Sequence, residues 1–306
     1  MPSPRVAIAP AAPEWAVAAV VRGGGTVVGL DERPDALLWL DLRDPGLLRD
    51  ALERAPTVRW VQLPAAGVEN AAASGLFADG RDWTSAKGAY AEPVAEHALA
   101  LALAGLRYLP ERVMARTWGP SKGATLYDAD VAVLGGGGIA ACLLGLLAPF
   151  RVRATVVRRT AEPLAGAARV VPPEQLADAL AGARVVFLAL ALTPETTGII
   201  GAAELALMGT GTWLVNVARG RHVDTAALIT ALESGAIGGA ALDVTDPEPL
   251  PDGHPLWGMP NAIITPHTAD WPEIVGELLA RRVAANVAHF AAGEPLEGRV
   301  DPAAGY

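Results

Sequence analysis

The run Val131-Ala-Val-Leu-Gly135-Gly136-Gly137-Gly138-Ile139-Ala140 places an apolar strand, a glycine turn and the start of a helix in immediate succession. Gly135 and Gly137 stand at the first two positions of a G-x-G-x-x-G/A fingerprint, and Ala140 takes the third. Each position has a physical task. The first glycine turns the chain sharply after the strand, the second lets backbone approach a pyrophosphate, and the small third residue lets helix pack on strand. The helix N-terminus adds unpaired N–H groups and the positive end of a dipole for the anion. The alternative, a merely flexible tetraglycine turn, is disfavoured by the position between strand and helix.

Working outward, short apolar runs at 131–134, 152–157, 185–190, 213–217, 239–242 and 262–265 alternate with helical stretches. That is the strand count of a complete doubly wound dinucleotide-binding sheet. Upstream, 5–9, 26–30, 36–40 and 58–62 read as buried strands, with helices at 13–21 and 46–54 among them. Such alternation implies parallel sheets covered on both faces, hence an α/β protein with two doubly wound domains. The expected division is a substrate-binding domain over 1–90, completed by the C-terminal segment 286–306, and a dinucleotide-binding domain over 91–285. An apolar helix at 91–109 carries Glu92 and Glu96 early and Arg107 late, matching the helix dipole. A looser segment with Trp118, Gly119, Pro120 and Gly123 follows, and a last helix spans about 272–292.

The bulk composition agrees. A chain of 306 residues that is 52% hydrophobic and 19% charged can bury two cores, and is not a disordered chain. A net charge of −9 gives no general attraction to nucleic acid or an anionic membrane, so neither is an expected partner. Cys142 is the single cysteine, which excludes an internal disulfide and a thiolate cluster, and it reads as a small packed helical residue. No cationic leader precedes a long apolar run, and no apolar run reaches the roughly 18 residues of a membrane span, so a cytoplasmic location is expected. The histidines show no ligand spacing such as His-x3-His, so no metal site is expected.

The residue that reads the ribose should lie at the end of the strand after the glycine turn. That place reads Val156-Val157-Arg158-Arg159-Thr160, without Asp or Glu. A carboxylate there would bond the 2′-hydroxyl and repel a 2′-phosphate, whereas guanidinium groups favour the phosphate. NADP(H) is therefore the expected cofactor, with NAD(H) the alternative.

Three further motifs follow strands, at the sheet edge where ligands bind. They are Leu214-Val-Asn-Val-Ala-Arg219-Gly220, Ala241-Leu-Asp243-Val-Thr-Asp-Pro-Glu248-Pro-Leu, and Ile264-Thr-Pro-His267. Together they offer a cation, carboxylates and an imidazole, the groups that reduction of a 2-oxo acid needs. In this order they resemble the D-isomer-specific 2-hydroxyacid dehydrogenase family. Supporting stretches are 62–69 with Ala66-Gly67-Val68, Val94-Ala-Glu-His97-Ala-Leu-Ala, Leu192-Thr193-Pro-Glu-Thr196, His254-Pro-Leu-Trp257 and 286–306. The likeness spans almost the whole chain. The glyoxylate/hydroxypyruvate reductase branch is the most similar, by the Arg158-Arg159-Thr160 loop and the Gly-Glu-Pro-Leu…Gly-Tyr tail.

The resemblance implies a flavodoxin-like substrate domain, a Rossmann domain and hydride transfer between the dinucleotide and a small anionic 2-oxo or 2-hydroxy acid. It implies that His267 is the acid/base, that Glu248 pairs with it and keeps it protonated for ketone reduction, and that Arg219 grips the carboxylate and polarises the carbonyl. The amides of Ala66 and Gly67 would hold the other side of the carboxylate. Asp243, with the main chain at Val217 and Ala218, would orient the nicotinamide carboxamide. Further cofactor contacts are implied at Gly135, Gly137, Gly138, Ile139, Arg158, Arg159, Thr160, Leu190, Thr193, Thr197, Arg219 and His267. A homodimer is implied through the 91–109 helix and the arm around Trp118. Alternative functions are a dehydrogenase for another acid, such as phosphoglycerate or phosphite, and a dinucleotide-sensing binding protein. Two departures stand out: Glu69 replaces a common Asp, and Thr268-Ala269-Asp270 replaces a glycine-rich sequence after His267, which bears on pocket shape. Whether Trp118 or Trp271 lines the pocket is left open. His97 reads as structural, and His222, His254 and His289 show no partner in the sequence.

Overall fold

Five short strands make one parallel sheet near the N-terminus: β1 (Arg5–Ala9), β2 (Thr26–Val28), β3 (Ala36–Trp39), β4 (Trp60–Gln62) and β5 (Asp82–Thr84). Their order is β2-β1-β3-β4-β5, the flavodoxin-like arrangement. β3 and β4 are buried at every position, as expected for strands covered on both faces. Leu37, Leu52, Val61, Leu63, Phe77 and Trp83 belong to the core of this sheet. β5 was not anticipated, because Asp82-Trp83-Thr84 is a three-residue edge strand with polar residues at both ends.

The computed structural model describes residues 3–301, which fall into two units, 3–90 with 270–301 and 91–269. Residues 302–306 of the expected completing segment lie outside the described residues. The long helix Pro272–Ala292 lies wholly in the first unit, whereas the sequence reading divided it after residue 285. Packing explains the difference. The helix runs against Glu14–Arg22, and Gly23 approaches it so closely that a Cβ there would sit 2.7 Å from Val287 Cβ. Asn286, fully buried, donates to Gln62 Oε1 at 2.9 Å and to the Glu297 carbonyl at 3.0 Å.

The second unit holds a seven-stranded parallel sheet: β6 (Asp130–Leu134), β7 (Arg153–Val157), β8 (Arg169–Val171), β9 (Val185–Leu188), β10 (Trp213–Asn216), β11 (Gly239–Leu242) and β12 (Ala262–Ile264). The order β12-β11-β10-β9-β6-β7-β8 reverses direction between β6 and β9, a topological switch point where such sheets bind ligands. The sheet has one strand more than the six expected from the apolar runs: the addition is β8, an edge strand of three residues opened by Arg169 and stopped by Pro172 and Pro173. β9 and β10 end at Leu188 and Asn216, so Leu190 and Val217 lie on the loops beyond them. The helix Ala91–Leu106 also stops earlier than expected. Tyr108 then takes a left-handed conformation (φ 50°) and opens a second helix, Leu109–Met114. Among the described residues, no helix is long and apolar enough to cross a membrane.

Candidate active site

The glycine turn sits at the switch point. Gly135 has φ +113°, and a Cβ there would lie 2.2 Å from the carbonyl oxygen of Ala189, just beyond β9. Both the left-handed backbone and the close approach therefore demand glycine. Gly137 precedes the helix Gly138–Leu147 with no side-chain cap, and a Cβ on it would meet no atom within 4 Å. The first N–H groups of a ten-residue helix thus face open space at the sheet's ligand edge. Ala140 is fully buried under the helix, as the third fingerprint position requires. This cradle fits the pyrophosphate of a dinucleotide.

Arg158, Arg159 and Thr160 follow β7 directly. Arg158 is half-buried and folds over Gly136, whose absent Cβ would otherwise lie 2.6 Å from Arg158 Cδ. Arg159 and Thr160 are exposed. Glu195 is an anionic neighbour to which no motif in the sequence points. Its carboxyl is held below the usual range by a hydrogen bond from Thr193 and by its own backbone, with a contribution from the charge of Arg159.

The loop after β9 is braced internally and from outside. Thr196 Oγ1 donates to the Ala191 carbonyl at 2.8 Å, and Thr197 Oγ1 to the Thr193 carbonyl at 2.9 Å. His222 is fully buried, with Nδ1 at 2.9 Å from the Thr196 carbonyl and Nε2 at 3.3 Å from the Leu190 carbonyl. The expectation that His222 has no partner is thereby corrected: it ties both ends of the loop carrying Leu190, Thr193 and Thr197. No local signal could show this, because the bonds span 26 and 32 residues.

The loops after β10 and β11 interlock at Gly220. A Cβ there would lie 1.9 Å from the Thr245 carbonyl oxygen, so only glycine lets the Arg219 turn reach the Thr245–Glu248 turn. Asn216 shapes that first turn, accepting from Ala218 N at 3.0 Å and donating to the Arg219 carbonyl at 2.9 Å. Arg219 is half-buried and donates through Nη1 to the Ala218 carbonyl at 2.7 Å.

His267 ends the turn after β12 in a left-handed conformation, φ 51°. Left-handed backbone is uncommon outside glycine and is found at functional sites. Its Nδ1 lies 2.7 Å from Glu248 Oε1. A carboxylate can only accept, so Nδ1 carries the proton of that bond. Nε2 is then the nitrogen left to give or take a proton, which is the arrangement of a general acid/base.

Asp243 holds the same turn from beneath. It is 2% exposed and accepts Thr265 Oγ1 at 2.6 Å and Thr268 N at 2.9 Å on Oδ1, and Ala269 N at 3.1 Å on Oδ2. Burial pushes its carboxyl up, but hydrogen bonds from His97, Thr265 and the amides of Thr268 and Ala269 outweigh this and hold it at about 2. The amides that fasten the turn are those of Thr268 and Ala269, backbone donors that any residue but proline would supply.

Ala66 and Gly67 belong to the first unit. The loop leaving β4 has its carbonyls fixed in succession: Leu63 by Gln62 Nε2 at 2.8 Å, Pro64 by the Tyr90 hydroxyl at 2.6 Å, and Ala65 by Ala86 N at 2.9 Å. A planar trans peptide sends N–H opposite to C=O, so the N–H of Ala66 points away from Ala86. Among the described residues, no group of three or more His, Cys, Asp or Glu is placed to hold a metal ion.

Residues 97–269 match the model of the D-isomer specific 2-hydroxyacid dehydrogenase NAD binding domain, more than half of the chain. The chain belongs to the D-isomer specific 2-hydroxyacid dehydrogenases. It is thus an NAD(P)-dependent oxidoreductase, built on the two sheets of that family. Among relatives of this dehydrogenase, a Corynebacterium melassecola protein described as "Uncharacterized protein in proB 3'region" is 36% identical over 294 residues, covering 94% of this chain and 95% of that one. A D-isomer specific 2-hydroxyacid dehydrogenase from Xanthobacter autotrophicus Py2, solved with NADPH and MES, is 31% identical over the whole of both chains, with a TM-score of 0.84. An NADPH-dependent glyoxylate/hydroxypyruvate reductase from Sinorhizobium meliloti, solved with NADP and sulfate, is 25% identical over the whole of both chains, with a TM-score of 0.79.

Proposed function

We propose that this dehydrogenase is an NADPH-preferring reductase of small 2-oxo acids of the glyoxylate/hydroxypyruvate class. The observation that carries the reading is the His267–Glu248 pair at 2.7 Å, next to the interlocked turn that presents Arg219. The cofactor preference is supported by Arg158 and Arg159 at the end of β7, and by the solved relatives that hold NADPH or NADP.

The nicotinamide, when bound, supplies the hydride. The chain's own groups do the rest. His267 Nε2 gives a proton to the carbonyl oxygen, while Glu248 stabilises the positive ring that holds it. Arg219 pairs with the substrate carboxylate and polarises the adjacent carbonyl. In the first unit, the N–H groups of Ala66 and Gly67 are candidate donors to an anion. Gly135, Gly137, Gly138 and Ile139 cradle the pyrophosphate, and Leu190, Thr193 and Thr197 lie along the adenosine side. Asp243 retains capacity on Oδ2 for the carboxamide, together with the main chain of Val217 and Ala218.

The working form is a homodimer. Leu109, Val113 and Met114 expose apolar side chains on one short helix, and Trp118 beyond it is 98% exposed. Steady-state assays of NADPH and NADH oxidation against a panel of 2-oxo acids test the activity. Turnover restricted to NADH, or absent with glyoxylate and hydroxypyruvate while present with larger acids, would overturn the assignment. Light scattering that finds a monomer at micromolar concentration would remove the dimer.

A further inference from the structure

His97 stands in the helix Ala91–Leu106, far in sequence from every residue of the acid–base machinery. Its Nε2 lies 3.0 Å from Thr265 Oγ1 and 3.3 Å from Asp243 Oδ1. The proton on that contact can be assigned by counting donors. Thr265 has one hydroxyl hydrogen, and it is committed to Asp243 Oδ1 at 2.6 Å. The ionised carboxylate has none to give. Both atoms facing His97 are therefore acceptors, so Nε2 must carry a hydrogen, forked between them.

The two residues that carry those acceptors also build the His267 turn. The main-chain carbonyl of Asp243 accepts His267 N at 2.8 Å, and its carboxylate accepts the amides of Thr268 and Ala269. His267 is held at φ 51° by its own N–H, shared by the carbonyls of Asp243 and Thr265, and by the amides of Thr268 and Ala269 on the Asp243 carboxylate. Each donor that Asp243 accepts adds a restraint on where its carboxylate sits. His97 supplies the one side-chain N–H among them, with its ring 22% exposed.

We propose that His97 is a positioning residue for the acid–base histidine: its Nε2–H, shared by Thr265 and Asp243, locks the carboxylate on which the left-handed His267 turn is wound. The inference rests on the reading of His267 as the acid/base. It separates His97 from a residue that merely fills space. Phenylalanine fills the same volume without a donor, whereas glutamine carries an N–H at the reach of Nε2.

Long-range 15N–1H correlation of the histidine rings in the wild-type protein, with His97 assigned through its loss in His97→Gln, should show Nε2 protonated at neutral pH. A bare Nε2 overturns the proposal without any variant. In glyoxylate reduction, His97→Phe should lower kcat roughly 10- to 100-fold, the scale of a displaced catalytic group. His97→Gln should recover most of that loss. A His97→Phe enzyme with wild-type kcat, or a His97→Gln enzyme as slow as His97→Phe, refutes the positioning role. Should His97→Phe fail to fold, the ring-nitrogen state decides alone. His267→Ala is measured alongside. If it keeps wild-type turnover, the acid–base reading has failed, and the protonation of His97 Nε2 still reports separately on the donor.

Discussion

His267 Nδ1 and Glu248 Oε1 meet at 2.7 Å although the two residues follow different strands, β12 and β11. The two side chains remain 44% and 40% exposed. An exposed ion pair of this kind is worth only ~0–1 kcal/mol of stability, so its importance lies in the state and direction of the ring rather than in holding the fold. Glu248→Gln keeps the shape and removes the charge that favours a positive ring. That variant should reduce the 2-oxo acid more slowly than wild type, because the ring loses the charge that holds and stabilises it. His267→Ala should lower turnover roughly 100- to 10,000-fold, and the double variant should lose little more. Steady-state turnover of the two single variants and the double variant checks this; a Glu248→Gln enzyme with wild-type turnover breaks the pairing.

Arg158, Arg159 and Glu195 set up a contest over the cofactor's 2′ position. Loss of a guanidinium–phosphate contact costs on the order of 1.5 to 3 kcal/mol, so Arg158→Asp with Arg159→Ala should turn preference towards NADH. Glu195→Gln should act the other way, since it frees Arg159 from a neighbouring negative charge. Fluorescence titration with both dinucleotides measures the ratio of dissociation constants. Wild type binding NADH more tightly would contradict the assignment.

Gly135 and Gly137 should separate folding from binding. Gly135→Ala drives a methyl into the Ala189 carbonyl at 2.2 Å and strains a backbone at φ +113°, so it should destabilise the protein by about 1–3 kcal/mol and weaken the cofactor. Gly137→Ala meets nothing in the protein, so Tm should hold while dinucleotide affinity falls. Thermal unfolding with and without NADPH distinguishes the two. Equal losses of Tm in both variants would contradict the cradle.

Asp243 should make the fold acid-sensitive over a defined range. Its carboxyl is depressed from 3.8 to about 2, so its stabilising contribution is complete above the unfolded value and is lost as pH falls from about 4 towards 2. The shift corresponds to on the order of 2 kcal/mol. Urea unfolding at pH 6 and pH 3 should show Asp243→Asn losing less stability across that interval than wild type. Parallel losses would mean that the charge is not what the turn responds to.

The doubly wound class and the glycine turn were legible along the chain, and Arg219, Glu248 and His267 stood out as candidates, because each depends on a short run: an apolar strand followed at once by a loop. Strands β5 and β8 escaped because edge strands of three residues bury too few side chains to leave a periodic mark. The allegiance of helix Pro272–Ala292 escaped because its apolar faces could pack on either unit, and only the fit of Val287 against Gly23 and of Asn286 against Gln62 selects one. Neither His97, in an apolar helix, nor His222, in Gly220-Arg221-His222-Val223-Asp224, shows a partner in the sequence. Their partners lie 168 residues away at Thr265 for the first, and 26 and 32 away at Thr196 and Leu190 for the second. Hydrogen bonds of that span leave no pattern along the chain, because the donor and its acceptor are brought together by the packing of the elements between them.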